Sequence, residues 1–483
     1  GMMRKKFFTA LFLFCITGLF TLTLRAEEVG KDSDTSPSGK TVKEDKGKIA
    51  LLELAPQLIN INRRYPTFYG DKDTIHGGIL ETSALCGAWG GMRNTLVDNG
   101  IYIDIGITQV YQWNVSGGRD IGSRYQGSGD LWINIDTGKV GLWSGGDIFL
   151  HAETVWGNNV QNKVGAAIPV NYDSTMPSLT KKGASSLSEF YLMQGLPWNL
   201  MYVIGKIDLA SLADTNQFAN NERTQFLNTS LVNNPILGVF APYTAFATGP
   251  IWTAPNEEHS VGAFYVNNAE NAMTSGFNSL SIHNATVGSQ YTFSPKIGGK
   301  QGNYGIIGVY TSKDYRDYAL SDRIKWRDIL LRRPLANKTD NYGVFFNFDQ
   351  YLYTKDEETG AGWGQFGRVG WAPKNRNVID QFYSLGLGGK GCLIPGREHD
   401  RWGLGWAGTH FSSDFRDGLR SLTGASTESF EHAIETFYNI RVTPAIHFSL
   451  DAQYILDPFT EAFDLSGADN HAFVLGSRLQ MDF

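Results

Sequence analysis

Residues Ile101 to Val115 read IYIDIGITQVYQWNV. Ile101, Ile103, Ile105, Ile107, Tyr111 and Trp113 take alternate positions, and Tyr102, Asp104, Gly106, Thr108, Gln112 and Asn114 fill those between. A period of two means an extended strand with one face in an apolar medium and the other in water.

The pattern recurs along the chain. Within Asp147 to Trp156, Ile148, Leu150, Ala152 and Trp156 oppose Asp147, Phe149, His151 and Glu153. Near the C-terminus Ile434, Tyr438, Ile440 and Val442 oppose Glu435, Asn439 and Arg441, and Thr443-Pro444 then makes a tight turn. The return strand sets Ile446, Phe448, Leu450, Ala452 and Tyr454 against His447, Ser449, Asp451 and Gln453. The last residues repeat it once more, with Phe473, Leu475, Leu479, Met481 and Phe483 on one face and Arg478, Gln480 and Asp482 on the other.

Three features make lipid the apolar medium. Aromatics such as Tyr111, Trp113, Trp156, Tyr438 and Tyr454 sit toward segment ends, where a membrane interface holds them. The polar faces carry full charges at mid-strand, among them Glu153, Glu435, Arg441 and Asp451. Connections alternate between very short (442–445) and long (157–184, 208–240, 313–341). The predicted fold is all-β, a transmembrane antiparallel β-barrel of about sixteen strands, an even number that closes without an exposed edge. A secreted β-propeller or sandwich is the alternative, but no repeat of about 40–50 residues is present.

The remaining composition agrees. A net charge of −6 and a pI near 5.9 lack the basic excess of a nucleic-acid binder. High glycine (55 residues) and aromatic content (13%), with only 19% charged residues, suits many strands and turns. Residues 1–26 read as a signal peptide: Arg4, Lys5 and Lys6 precede an apolar core from Phe7 to Leu24, with Ala26 at the cut. Residues 27–83 are expected to form a leader, charged and disordered at first, with a short helical segment from Ile49 to Ile61. The barrel domain is then 84–483. Cys86 and Cys392 follow the signal, and export permits a bridge between them without requiring one.

Catalytic signatures are absent. Gly386 to Gly391 (GLGGKG) lacks the spacing of a phosphate loop and reads as a turn. The nine histidines show no HExxH spacing, and no G-x-S-x-G elbow occurs. No enzyme activity, metal or other cofactor is expected.

Gly87-Ala88-Trp89-Gly90-Gly91-Met92-Arg93, followed by Leu96 and Gly100, leads straight into the first strand and the NVSGG of 114–118. Further blocks are Gly205-Lys206-Ile207-Asp208 with Phe218-Ala219 and Gln225-Phe226-Leu227, then GQFGRVG at 364–370. Gly386 to Gly391 with Pro395-Gly396-Arg397, Asp400 and Gly403-Leu404-Gly405 comes next, and Glu435, Tyr438, Pro444, Gln453-Tyr454-Ile455 and Pro458 close the series. In kind and in order these resemble the carbohydrate-selective porins, the OprB family of bacterial outer membranes.

The resemblance implies a sixteen-stranded porin that admits small carbohydrates by diffusion, narrowed by inward loops and charged residues, arginines prominently. Carried onto this sequence, Arg368 in FGRVG faces the lumen, and Arg397, Asp400 and Arg401 follow a Gly-rich turn and could shape the pore mouth. Glu435, Arg441, Asp451 and Glu153 line polar faces, and Trp89 and Arg93 belong to a short inward segment. For each, a structural salt bridge is the competing role. A porin for other small polar or acidic solutes is the first alternative, and a secreted carbohydrate-active or carbohydrate-binding protein the second. The expected partners are small carbohydrates, outer-membrane lipid and lipopolysaccharide, and the barrel-assembly machinery through Phe483, in a monomer or trimer. Lys313 to Arg333, with seven basic and four acidic residues, reads as an outer loop.

Overall fold

The structure, a computed structural model, describes residues 77–178, 183–319, 337–357, 359–424, 427–459 and 469–483. The expected signal peptide, most of the leader and most of the charged stretch after Lys313 lie outside them.

Sixteen long strands form the wall. They are β1 (Ile101–Gly117), β2 (Gly122–Asp136), β3 (Gly146–Gly157), β4 (Ser185–Leu196), β5 (Leu200–Asp208), β6 (Thr244–Thr253), β7 (His259–Asn267) and β8 (Ala285–Phe293). The chain continues with β9 (Lys300–Thr311), β10 (Asn341–Asp356), β11 (Ala361–Trp371), β12 (Ile379–Lys390), β13 (Arg401–Phe411), β14 (Phe430–Thr443), β15 (Ile446–Leu456) and β16 (His471–Asp482). Each pairs antiparallel with its neighbour in sequence, and β16 pairs with β1 from Gly106 opposite Asp482 to Gly117 opposite Ala472. The ring is therefore closed. Closure matters because an unpaired backbone group in hydrocarbon costs several kcal/mol.

The alternation read from the sequence sets the two faces. Tyr111 and Trp113 of β1 are exposed outward, while Asp104, Thr108, Gln112 and Asn114 are buried inward. An outer belt of Ile306, Val344, Val369, Leu385, Leu404, Leu450 and Leu475 girds the wall. Aromatics flank it: Tyr111, Trp113, Tyr310, Tyr342 and Trp371 toward one end, Tyr202, Trp252, Tyr291 and Tyr353 toward the other. No helix among the described residues is long and apolar enough to cross a membrane.

One end carries short turns such as 197–199, 357–360 and 444–445, and the other carries the long connections 158–184, 209–243 and 268–284. One reading changes here. Gly386 to Lys390 are not a turn but the end of β12, where a Cβ on Gly386 would stand 2.4 Å from Phe366 and one on Gly388 would stand 2.7 Å from Phe218. These glycines let bulky rings press against the wall. Cys86 and Cys392 are both free and exposed.

The lumen is not uniformly polar. On β5 to β9 the inward side chains include Val203, Ala247, Val266, Ile307 and Val309, all apolar. A hydrophobic core fills part of the interior, where Phe218, Phe226, Leu231, Ile236 and Phe240 of the 209–243 loop pack on Phe345, Phe366, Phe382 and Phe437 of the wall.

Candidate functional site

The connection 209–243 turns inward because its sequence alternates apolar anchors with asparagines that satisfy their own backbone. Asn228 accepts from Ser230 N–H at 3.0 Å, capping the short helix Thr229–Val232, and Asn216 and Asn234 close similar local turns. Buried backbone must find partners. Here the barrel wall supplies them.

Arg368 on β11 lies on the lumen side, as alternation predicted, yet it is fully buried. Its Nε donates to Asp214 at 2.8 Å, Nη1 to the Leu231 carbonyl at 2.8 Å, and Nη2 to the Ala219 and Val232 carbonyls at 2.6 and 2.9 Å. A solute in the lumen does not meet it. Burial pushes the Asp214 carboxyl up, against the pull of the Arg368 guanidinium and the donors around it. Glu435 on β14 is equally buried, and its carboxylate accepts from the Leu227 and Asn228 N–H groups at 2.6 and 2.8 Å. Asp451 on β15 is buried beside it and accepts from Gln453 at 3.1 Å. Glu153 on β3 accepts from Tyr243 at 2.8 Å and from Ser188. The sequence offered these four as pore lining, and each is engaged in holding the interior together.

Other anchors carried no sequence motif. Arg478 on β16 donates to the carbonyls of Glu222 and Gln225. At the loop's far reach Arg223 meets Asp130 of β2 at 2.9 Å and stacks over Trp132 at 4.8 Å. The loop is thus held from β2, β11, β14 and β16, across the whole lumen. The 158–184 connection joins it, with Tyr172 N–H donating to the Leu227 carbonyl at 2.7 Å. Glu431 accepts from Ala167 and Ile168, and Asp173 accepts from Ser128 at 2.8 Å.

Toward the short-turn end the wall is different. Lys390 on β12 lies directly opposite Arg401 on β13, and Arg441, two residues past Asn439 on β14, joins them on the lumen face. Like charges directly across a sheet repel. Lys390 donates to the Thr359 carbonyl at 2.7 Å, and among the described residues neither the Arg401 nor the Arg441 side chain meets a carboxylate. Lys390 and Arg401, with Gln217, Gln225 and Tyr351, line a cleft of about 50 Å³. Lys390 was missed in the sequence; only the hairpin register across 391–400 reveals it as Arg401's neighbour.

Arg397 and Asp400 form a two-point pair at 2.8 Å on the 391–400 turn. Asp400 also accepts from Tyr438 at 2.8 Å and from Arg441 N–H at 3.0 Å, so the pair secures the turn to β14. Its place is the short-turn end, away from the long loops. Arg93 lies where the ring closes: it donates to Asp104 at 2.7 Å, to the Ile103 carbonyl at 2.9 Å and to the Phe483 carbonyl at 3.3 Å, with its guanidinium over Trp89 at 5.1 Å.

The arrangement suits a narrowed aqueous passage. It has a closed wall, a loop-filled middle and a strip of like-charged cations at one end. Against known proteins, the family described as "Carbohydrate-selective porin, OprB family" matches residues 120–483. A Pseudomonas aeruginosa protein named Porin B is 22% identical over 428 residues, covering 83% of this chain and 91% of that one. The high-pH structure of Pseudomonas putida OprB superposes with a TM-score of 0.72 at 20% identity, covering 84% of this chain and all of the other. The low-pH structure of the same protein gives 0.51 at 16% identity and 83% coverage.

Proposed function

The chain belongs to the carbohydrate-selective porin family OprB and is a channel of the bacterial outer membrane, and from that premise we propose that small sugars, monosaccharides first, diffuse passively past the strip of Lys390, Arg401 and Arg441. The observation that carries this is the strip itself: three cations on adjacent lumen-facing strands, with Asp356 acting on Lys390 and neither arginine side chain in an ion pair among the described residues. A sugar hydroxyl accepts from guanidinium and ammonium donors, and the Gln217 amide offers both a donor and an acceptor. The Tyr351 ring can cover the C–H side of a pyranose. Contacts of this kind are individually weak and exchange with water, so the solute enters and also leaves.

Arg368, Glu435, Asp451 and Glu153 act in this reading as holders of the loop, and Arg397 with Asp400 as a brace for the strip. An acidic sugar gains more from the strip than a neutral one of equal size. Lipopolysaccharide at the long-loop end, and recognition of the closing strand at Phe483 during insertion, complete the proposed contacts.

Liposome swelling tests the reading. Glucose, neutral disaccharides, glucuronate and size-matched amino acids are compared, and the sugars are expected to enter fastest. Equal rates for sugars and amino acids of one size would overturn it.

A further inference from the structure

Behind the 209–243 loop, against β5 to β9, the lumen holds a chamber of about 480 Å³, within the size range of small-molecule sites. Elsewhere the interior is dense with ions, yet among the described residues none of those lining the chamber is charged. Val203, Ile207, Ile251, Phe264, Ile307 and Val309 turn toward it at strand positions where an aqueous channel normally places polar groups. We propose that this chamber receives the apolar aglycone of a small glycoside, an aryl group carried on a sugar. The proposal rests on the sugar-channel reading above and extends it to a substrate class.

Two further features support it. The space is kept open by glycine: a Cβ on Gly238 of the loop would meet nothing within 4 Å, and one on Gly262 of β7 only Ile251 Cγ1 at 3.6 Å and the Pro250 carbonyl at 3.9 Å. A Cβ is accommodated at both positions, and a larger side chain built from it would enter the chamber. The polar groups of the lining are also turned away from the space: the Asn234 amide nitrogen, which stands beside Gly370 of β11, and the Thr229 hydroxyl are both buried. Apolar walls hold water weakly, so an aromatic body that replaces it gains affinity, while the sugar stays among the polar groups.

The test uses the full chain in planar bilayers, with phenyl β-glucoside and methyl β-glucoside as blockers of the ion current. Phenyl β-glucoside is expected to half-block at a roughly tenfold lower concentration, the gain from burying one ring. Gly262→Trp should erase that advantage, so that the two glucosides block alike. Gly238→Phe fills the same space from the loop and serves should the wall variant fail to assemble. Equal block by the two glucosides in the wild type would overturn the proposal, as would an advantage that survives both variants. Ion current blocked by neither glucoside, with no sugar entry in swelling, would instead sink the sugar-channel reading itself.

Discussion

Arg368 Nε and Asp214 Oδ1 stand 2.8 Å apart, joining the eleventh strand of the barrel to the loop that fills it. Both side chains are shut away from solvent, at 0% and 3%. Removing one partner of such a pair leaves a buried charge uncompensated, at about 3–5 kcal/mol. Asp214→Ala is therefore expected to loosen the 209–243 loop, raising conductance and adding flicker, with heat-modifiable migration on gels unchanged. Arg368→Ala/Asp214→Ala should be milder than Asp214→Ala alone. A double variant worse than the single one would show that the pair is not the unit that matters.

Glu435 offers a second handle on the same loop. Its two oxygens accept from consecutive backbone N–H groups at the start of the helix Thr229–Val232. Glu435→Gln keeps the shape but replaces one of the two acceptor oxygens with an amide donor, and a hydrogen bond of this kind contributes about 0.5–1.5 kcal/mol. Faster hydrogen exchange at Leu227 and Asn228 is expected, with a smaller conductance change than Asp214→Ala gives. Unaltered exchange at those two amides would mean that the carboxylate is not holding the helix.

The wall was legible because lipid and water impose opposite demands on alternate residues, and β1, β3, β14 and β15 obey at the positions read, save for Phe149 of β3, an apolar residue on the lumen face. Where both faces are apolar the rule fails. β5 presents Tyr202 and Ile204 outward and Met201 and Val203 inward, so nothing in its spelling separates lipid from chamber. The site was harder still. Alternation put Arg368 and Glu435 on the lumen side correctly, but it has no information about a loop 130 or more residues earlier in the chain that comes back to cover them. The motif residues Phe218, Phe226 and Leu227 were visible as a pattern, and their role as the buried face of that loop was not. Like-charge pairing of Lys390 and Arg401 depends on hairpin register, which a ten-residue connection does not declare.

Asp173, in the 158–184 connection, ties that segment to β2 through Ser128 and Gln126. Burial pushes its carboxyl up to about 7, Asp130 and Glu222 add to the rise, and Arg223 and the Ser128 hydrogen bond oppose it. The packed state thus keeps a proton that the released segment gives up near 3.8. Packing is favoured at low pH and weakens as pH rises through 7. Protection from hydrogen exchange across 166–178, taken relative to the base-catalysed intrinsic rate, should be lower at pH 8 than at pH 5 in the wild type. In Asp173→Asn, permanently neutral, this difference should shrink; an identical pH response in both would remove Asp173 from the account.

The basic strip makes the sharpest demand on function. If Arg401 and Arg441 serve only to stabilise the wall, removing one of two like charges should help or do nothing, because their repulsion is relieved. If they face the solute, each loss should lower sugar entry and shift ion selectivity away from anions. Arg401→Ala and Arg441→Ala are expected to slow glucose swelling several-fold, and glucuronate more than glucose, since an anion loses a Coulomb attraction as well as a hydrogen bond. Reversal potentials in a potassium chloride gradient should move toward cation preference in both variants, and further in the double. Lys390→Gln should follow in the same direction with a smaller step, because its ammonium already donates to the Thr359 carbonyl. Wild-type swelling and unmoved reversal potentials in Arg401→Ala/Arg441→Ala, with the barrel folded, would place the solute path elsewhere in the lumen.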